Sequence, residues 1–204
     1  MAGRVRIMTD ISIVRGDSRN FNVTIYESDG TTPVDITEAV LRFAVKGSVY
    51  DDNSRSIIFK QSYYPDQLQI TVPASGESLI KLFVADTINV TPGQYYWDLD
   101  VTRKGTLATS AGTFAVTAGS GVLTGTGIDF AEISLGQVID LTSGFPQNNL
   151  LVVITDFDAT AETITVGYTG FVDEAGITHT TYQGDRKTPT GLSGNFSIGA
   201  DVVE

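Results

Sequence analysis

The sequence predicts an all-β protein that consists of a β-sandwich and a second, small β-barrel or β-sandwich module. Apolar and polar residues alternate with a period of two along most of the chain, which is the pattern of half-buried strands. The 204 residues include 26 Thr and 21 Gly, a composition that favours strands and turns. No segment shows the periodicity of a convincing amphipathic helix.

Seven or eight short strands are predicted within residues 1–118. Their alternating apolar residues are Phe21 to Ile25, Leu41 to Val45, Ile57 to Phe59, Leu68 to Val72, Ile80 to Val84, Tyr95 to Val101 and Phe114 to Val116. Turn residues such as Gly30 and Pro73 interrupt the pattern at intervals near the ~8–12 residues that are typical of a β-sandwich.

The segment Thr91-Pro92-Gly93-Gln94-Tyr95-Tyr96-Trp97 refines this prediction. In immunoglobulin-like sandwiches, a Tyr at the start of such a strand folds its hydroxyl back onto the preceding corner. The second Cys of an antibody domain would follow two residues later, and Trp97 occupies that position here. We therefore predict an immunoglobulin-like sandwich with an aromatic ring in place of the disulfide; an ordinary hairpin with aromatic core residues is the alternative.

A second alternating region follows the linker-like stretch Thr117-Ala118-Gly119-Ser120-Gly121. We predict an immunoglobulin-like sandwich over residues 1–118, a small β module over 119–171 and an extended polar loop or arm over 172–190. The predicted strands of the module are 122–126, 137–141, 150–154 and 163–166.

A weak internal similarity links the end of the first region to the end of the chain. Residues 110–116 and 192–198 both fit x-x-Gly-x-Phe-x-aliphatic. Chance is one explanation. The other is that residues 119–190 are an insertion, so that 191–204 return to the first domain as a strand.

Composition and charge exclude much chemistry. The chain has no Cys and one His, which rules out a disulfide framework, a thiolate metal site and a site of several His ligands. The formal net charge is −11, and residues 61–204 carry all of it, with five basic and sixteen acidic residues. Such a charge repels nucleic-acid backbones and anionic lipids, so neither nucleic acid nor membrane is expected as a partner.

The N-terminus lacks the apolar run of a signal peptide, which predicts folding in a reducing cytoplasm.

Several short patterns are candidate sites. Asp98 and Asp100 leave the same face of a predicted strand and could hold a cation, although alternating acids on a solvated face are commoner. Asp156, Asp158 and Glu162 lie near one turn, but their spacing does not match an EF-hand loop. Other patterns were the integrin-type tripeptide Arg15-Gly16-Asp17, the pair of glycines Gly125 and Gly127, and His179 in the polar loop. We predict no catalytic, cofactor-binding or metal-ligating residue among them.

Several stretches together resemble the immunoglobulin-like domain of tailed-bacteriophage virion proteins, best known as the N-terminal domain of upper baseplate proteins. The resemblance rests on residues 14–18 before Phe21, on 29–37 and 41–46, and on Ala85-Asp86-Thr87 and 92–99. Residues 121–130 and 135–139 resemble small β modules of phage tail and fibre proteins.

This resemblance implies a non-enzymatic structural protein of the virion, in the tail, baseplate, neck or a fibre connector. Its expected partners are other virion proteins, including the capsid, and further copies of itself in a homo-oligomer. The chain lacks the helical stalk and receptor-binding head of the baseplate proteins, which favours a connector, adaptor or decorating role. Capsid decoration or a carbohydrate-binding module is the alternative, with stacking rings from Tyr63, Tyr64, Tyr95, Tyr96 and Trp97.

Overall fold

The computed structural model describes residues 10–27, 29–51, 53–109, 112–133, 135–141, 150–178, 180–187 and 193–200. Almost all regular structure in these ranges is β, which confirms the predicted all-β class. The strands are β1 (Asp10–Val14), β2 (Arg19–Thr24), β3 (Ala39–Lys46), β4 (Ile58–Gln61), β5 (Leu68–Val72), β6 (Glu77–Leu82), β7 (Gly93–Thr109), β8 (Thr113–Val116), β9 (Val122–Thr126), β10 (Val138–Asp140), β11 (Leu151–Asp158), β12 (Thr163–Val166), β13 (Glu174–Thr178), β14 (Thr180–Lys187) and β15 (Ser193–Gly199). One α-helical turn, α1, spans Val84–Thr87, and short 3-10 turns span Asn53–Arg55, Pro73–Ser75 and Phe130–Glu132.

The chain divides into two compact units. The first, here called the sandwich unit, comprises Met1–Thr37, Leu41–Val101 and Lys187–Glu204. The second unit comprises Glu38–Val40 and Thr102–Arg186. The boundary therefore falls within β7, about 16 residues before the linker-like stretch at which the sequence predicted it.

The sandwich unit has two sheets with the strand order of an immunoglobulin domain. One sheet runs β2-β6-β5, which corresponds to strands B, E and D. In the other, β4, β3, β7 and β15 follow one another as strands C′, C, F and G do, and β1 pairs parallel with β15 at its edge. Apart from the parallel β1–β15 pair, the neighbouring strands are antiparallel, and many of them lie far apart in the sequence, as in Greek-key sandwiches.

The last strand, β15, closes this sheet between β1 and β7. Phe196 pairs with Ile11 on one side and with Tyr95 on the other. This is the location that a return of the C-terminal segment to the first domain requires. The second unit thus lies in the sequence between the strands equivalent to F and G. The strand of residues 113–116, which the sequence predicts in the first domain, belongs instead to the second unit as β8.

The strands of the second unit follow the order β14-β10-β11-β12-β9-β8-β13, and each neighbouring pair is antiparallel. The predicted extended loop or arm over 172–190 is wrong, because β13 and β14 occupy most of it. β13 pairs with β8, and β14 pairs with β10. These partners lie far away in the sequence, so the polar and Gly-rich stretch gains its strand structure from pairing rather than from its own apolar pattern.

Each unit has its own apolar core. In the sandwich unit the fully buried side chains come from both sheets and include Ile25, Phe43, Leu68, Ile80, Trp97 and Phe196. In the second unit they include Phe114, Leu123, Ile139, Val152 and Ile164. Burial of such side chains stabilises a fold by roughly 1.5–3 kcal/mol each before the entropy of the chain is counted.

Candidate interaction surface

The corner before β7 has the geometry that the sequence predicted. The Tyr95 hydroxyl donates to the carbonyl oxygen of Thr91 at 2.5 Å, which fixes the Pro92-Gly93 turn onto the strand. Trp97, two residues later, is 2% exposed, and its ring centroid lies 5.9 Å from that of Phe43 on β3. The predicted tyrosine corner is confirmed, and Phe43 and Trp97 form an aromatic pair across the neighbouring strands β3 and β7.

Asp98 and Asp100 do not lie on a solvated face, so that prediction is wrong. Asp98 Oδ2 accepts a hydrogen bond from Lys46 Nζ at 2.6 Å, and Asp100 is 2% exposed with Asn53 Nδ2 at 3.4 Å from its Oδ2. The lysine on the neighbouring strand and the 3-10 turn at 53–55 cover the two carboxylates. Among the described residues, no group of three or more acidic, His or Cys side chains is arranged to hold a metal ion.

Two further lysines, Lys60 and Lys104, form ion pairs that were not predicted. Lys60 Nζ lies 2.6 Å from Asp86 Oδ1. Lys104 Nζ lies 2.7 Å from Asp140 Oδ2 and 3.1 Å from Glu38 Oε1. Burial alone would lower the pKa of Lys104, but its hydrogen bonds to Asp140 and Glu38 and their negative charges raise that pKa above its ordinary value. No local sequence pattern could reveal these pairs, because each joins segments that are 26 or more residues apart.

The acids near the β11–β12 hairpin have a structural role. Asp158 Oδ1 accepts hydrogen bonds from the backbone N–H groups of Thr160 and Ala161 at 2.8 and 3.1 Å, which closes the turn. Asp156 Oδ1 accepts from the N–H of Phe157 at 2.9 Å. Gly125 lies within β9, where an added Cβ would be 2.8 Å from Ile128, so close packing explains this glycine.

The tripeptide Arg15-Gly16-Asp17 lies in the turn between β1 and β2. Arg15 is half-buried with its Nε inaccessible to solvent, and Gly16 has a φ of +84°. The backbone N–H of Gly16 donates to Thr87 Oγ1 at 3.0 Å. The tight turn between β1 and β2 therefore accounts for this tripeptide. His179 lies outside the described residues.

The five aromatic residues considered for glycan stacking have different environments. Trp97 is buried in the core, and Tyr95 is held in the corner. Tyr63 and Tyr64 are half-buried, while Tyr96 is 41% exposed on β7. Of the five, at most Tyr63, Tyr64 and Tyr96 could contact a sugar, so the five rings do not form a single stacking surface.

One end of the sandwich unit stands out as a surface for contacts, and we call it the loop end. It consists of the β1–β2 turn (15–18), the β3–β4 loop (47–57) and the β6–β7 connection (83–92). The strand registers place the β1–β2 turn and the β6–β7 connection at the same end, since Val14 pairs with Gly199, Gly93 with Ile198 and Arg19 with Leu82. The β3–β4 loop lies at this end too, because β3 runs antiparallel to β7: the N–H of Lys104 donates to the carbonyl oxygen of Glu38 before β3, and Lys46 at the end of β3 pairs with Asp98 near the start of β7.

The loop end carries most of the exposed large apolar side chains in the described part of the sandwich unit. Its large exposed apolar side chains are Val49, Tyr50, Ile57, Phe83, Val84 and Ile88, and Val14 is exposed directly before the β1–β2 turn. In the described part of the sandwich unit, the other exposed large apolar side chains are Val72 and Tyr96. Exposed apolar side chains that are grouped at one end of a unit indicate a candidate interaction site, whereas scattered ones do not.

The β6–β7 part of the loop end is held rigidly. Asp86 Oδ2 accepts from the N–H of Phe83 at 2.7 Å, while its Oδ1 pairs with Lys60, whose Nζ also lies 5.1 Å from the centre of the Phe83 ring. The N–H of Val84 donates to Ser18 Oγ at 3.2 Å, which ties α1 to the β1–β2 turn. These bonds present Phe83, Val84 and Ile88 to solvent with little freedom to withdraw.

Comparisons with known proteins assign no family. No family model matches the chain. No curated protein matches it. The solved structure of Tp47, the 47-kilodalton lipoprotein of Treponema pallidum, aligns with 78% of this chain and 45% of that chain, at 16% identity and a TM-score of 0.27. The chain thus spans less than half the length of that structure, and the likeness is too weak to support an argument. Within the described residues, no helix has the length and apolar character to span a membrane.

Proposed function

We propose that this protein is a non-enzymatic structural component of a tailed-phage virion, in the tail, baseplate, neck or a fibre connector. Support comes from the resemblance of residues 10–117 to the immunoglobulin-like domains of such proteins. The tyrosine corner and the strand order of the sandwich unit are compatible with that resemblance. Its partners would be other virion proteins and further copies of itself.

The loop end is the observation that carries this proposal. It groups exposed apolar side chains on connections that are fixed by hydrogen bonds and an ion pair, which is how a rigid protein contact surface is built. Repetition in a symmetric particle would add many such contacts, so that each can be individually weak. The net charge of −11 is unfavourable for contacts with nucleic acid or anionic membranes.

Mass spectrometry of purified particles of the phage that encodes this chain tests the proposal. We expect the protein in several stoichiometric copies per particle, retained through density-gradient purification and a high-salt wash. Its absence from finished particles would refute the proposal. A capsid decoration protein would also be present, so the test is repeated on tails and capsids separated from one another. Recovery with capsids alone would replace the tail assignment with decoration.

A further inference from the structure

The strand β1 lies at the edge of its sheet, where β15 is its one neighbouring strand among the described residues. Its residues alternate in burial, and the exposed ones are Asp10, Ser12 and Val14. Its register with β15 runs from Asp10 to Val14 without a bulge. A regular edge strand presents unpaired backbone N–H and C=O groups, to which a strand of another chain can add.

The parallel pairing determines which backbone groups of β1 point away from β15. In a parallel pair, alternate residues of a strand direct both their N–H and their C=O to the neighbour. The N–H of Arg15 donates to the carbonyl oxygen of Gly199 at 3.0 Å, so Ile11 and Ile13 face β15 in the same alternation. The backbone groups of Ser12 and Val14 therefore point outward.

Both of these outward carbonyl oxygens are already occupied from within the chain. Arg19 Nη1 donates to the carbonyl oxygen of Ser12 at 2.5 Å, and the N–H of Asp17 donates to that of Val14 at 3.1 Å. The Arg19 guanidinium also lies 5.1 Å from the centre of the Phe21 ring, and this second contact holds the side chain in place.

The space beside this edge has room for a further strand. A groove of about 210 Å³ is lined by residues of β1, of the following turn and of the start of β2, namely Ser12, Ile13, Val14, Asp17, Ser18 and Arg19. A strand that enters here has to donate an N–H to the carbonyl oxygen of Ser12. The guanidinium of Arg19 holds that oxygen.

We infer that Arg19 closes the outer edge of β1 against the addition of a strand from a second copy of this chain. In the folded chain the occupant of the edge is its own guanidinium group, and pairing requires that this group first leave the Ser12 carbonyl. Charged side chains on edge strands protect other sheets from pairing between chains. This inference goes beyond the proposed function and does not depend on it.

The exposed residues of β1 define how two open copies would pair. An antiparallel pair centred on Ser12 exchanges the N–H and C=O groups of that residue and sets Asp10 of one copy opposite Val14 of the other. A parallel pair would instead set the two Asp10 carboxylates opposite each other, which is unfavourable. Because β1 has a single free side, the antiparallel pairing ends at two copies.

Arg19→Met tests the closure, because methionine keeps much of the side-chain length and loses the hydrogen-bond donors. In analytical ultracentrifugation, the apparent dimer dissociation constant of this variant should fall by more than about tenfold relative to the wild type, since several backbone hydrogen bonds form between the copies. Arg55→Met is the matched control. It removes another exposed arginine of the same unit, from the β3–β4 loop, and should associate like the wild type.

Two further measurements make the test specific for the edge. The amide protons of Ser12 and Val14 should become protected from hydrogen exchange when Arg19→Met associates. The double variant Arg19→Met/Ser12→Pro should associate no more than the wild type. Proline removes the outward N–H of position 12, whereas the bonds to β15 come from Ile11 and Ile13. Circular dichroism establishes that each variant is folded.

The inference is overturned by an Arg19→Met chain that associates no more than the wild type, by an Arg55→Met chain that associates as strongly as Arg19→Met, or by a double variant that still pairs. Assembly of Arg19→Met into particles of more than two copies would also contradict pairing through the outer edge of β1.

Discussion

Single side chains close the turns of the sandwich unit, and Asp29 illustrates how. Its Oδ1 accepts from the backbone N–H groups of Thr31 and Thr32, both at 2.8 Å, and its Oδ2 accepts from the Thr32 hydroxyl at 2.5 Å. The bond from the Thr32 side chain and then those from the two backbone N–H groups lower the pKa of Asp29 from 3.8 to about 2. A carboxylate that accepts several hydrogen bonds in this way is stabilised in its charged form.

The depressed pKa gives a prediction with a definite sign. Because the folded pKa lies below the unfolded one, the turn contributes its stability above about pH 4 and loses it as the pH falls through about 2. Replacement Thr32→Val should raise the Asp29 pKa towards 3.8, as measured by NMR titration of its carboxyl carbon. Thr31→Val, which keeps the backbone donor, should shift it less. An unchanged pKa in Thr32→Val would contradict this assignment.

Gly76 and Gly30 separate two costs of adding a side chain. Both have a positive φ, +68° and +71°, but an added Cβ at Gly76 would lie 2.5 Å from the carbonyl oxygen of Ile25, whereas nothing lies within 4 Å at Gly30. Gly30→Ala should cost about 1–2 kcal/mol of the free energy of unfolding from the left-handed backbone alone. Gly76→Ala should cost clearly more in urea unfolding. Equal losses would show that the close approach has no energetic weight.

At the scale of elements, local pattern and long-range pairing determine different parts of the structure. The strands with buried alternating residues, such as β2, β3 and the first half of β7, could be predicted because their periodicity is local. The predicted strand through Val84 instead ends at Leu82, since Asp86 caps a helical turn there.

β13 and β14 were not predicted, because only their pairing with strands distant in the sequence makes them strands. The loop end was not predicted either, because its residues converge only through the strand registers.

The ion pair network around Lys104 predicts the cost of breaking a contact between elements. It links β7 to β10 and to Glu38, which precedes β3. Lys104→Met should reduce the free energy of unfolding by about 2 kcal/mol, between the values for exposed and fully buried pairs, because Asp140 keeps its charge but loses this cation. The double variant Lys104→Met/Asp140→Leu should recover much of that loss in urea unfolding. A single variant as stable as the wild type would argue against the network.

At the scale of the whole molecule, the chain combines an immunoglobulin-like unit with a second β unit inserted before its last strand. Each unit has its own buried core, and the packed strands of each core hold the ends of the connections between them. The central claim is that the protein works by being bound at its loop end. The neighbours that we propose are virion proteins, so this claim is tested in phage particles.

The most direct measurement is the incorporation of two matched variants into phage particles that lack the native chain. Val84 lies in the loop end and Val72 lies outside it, and they are similarly exposed, at 48% and 43%. Because an aspartate at the loop end would bury a charge in the contact, Val84→Asp should be depleted from particles by more than about tenfold. Val72→Asp should be incorporated normally. Equal incorporation of the two variants would contradict the claim.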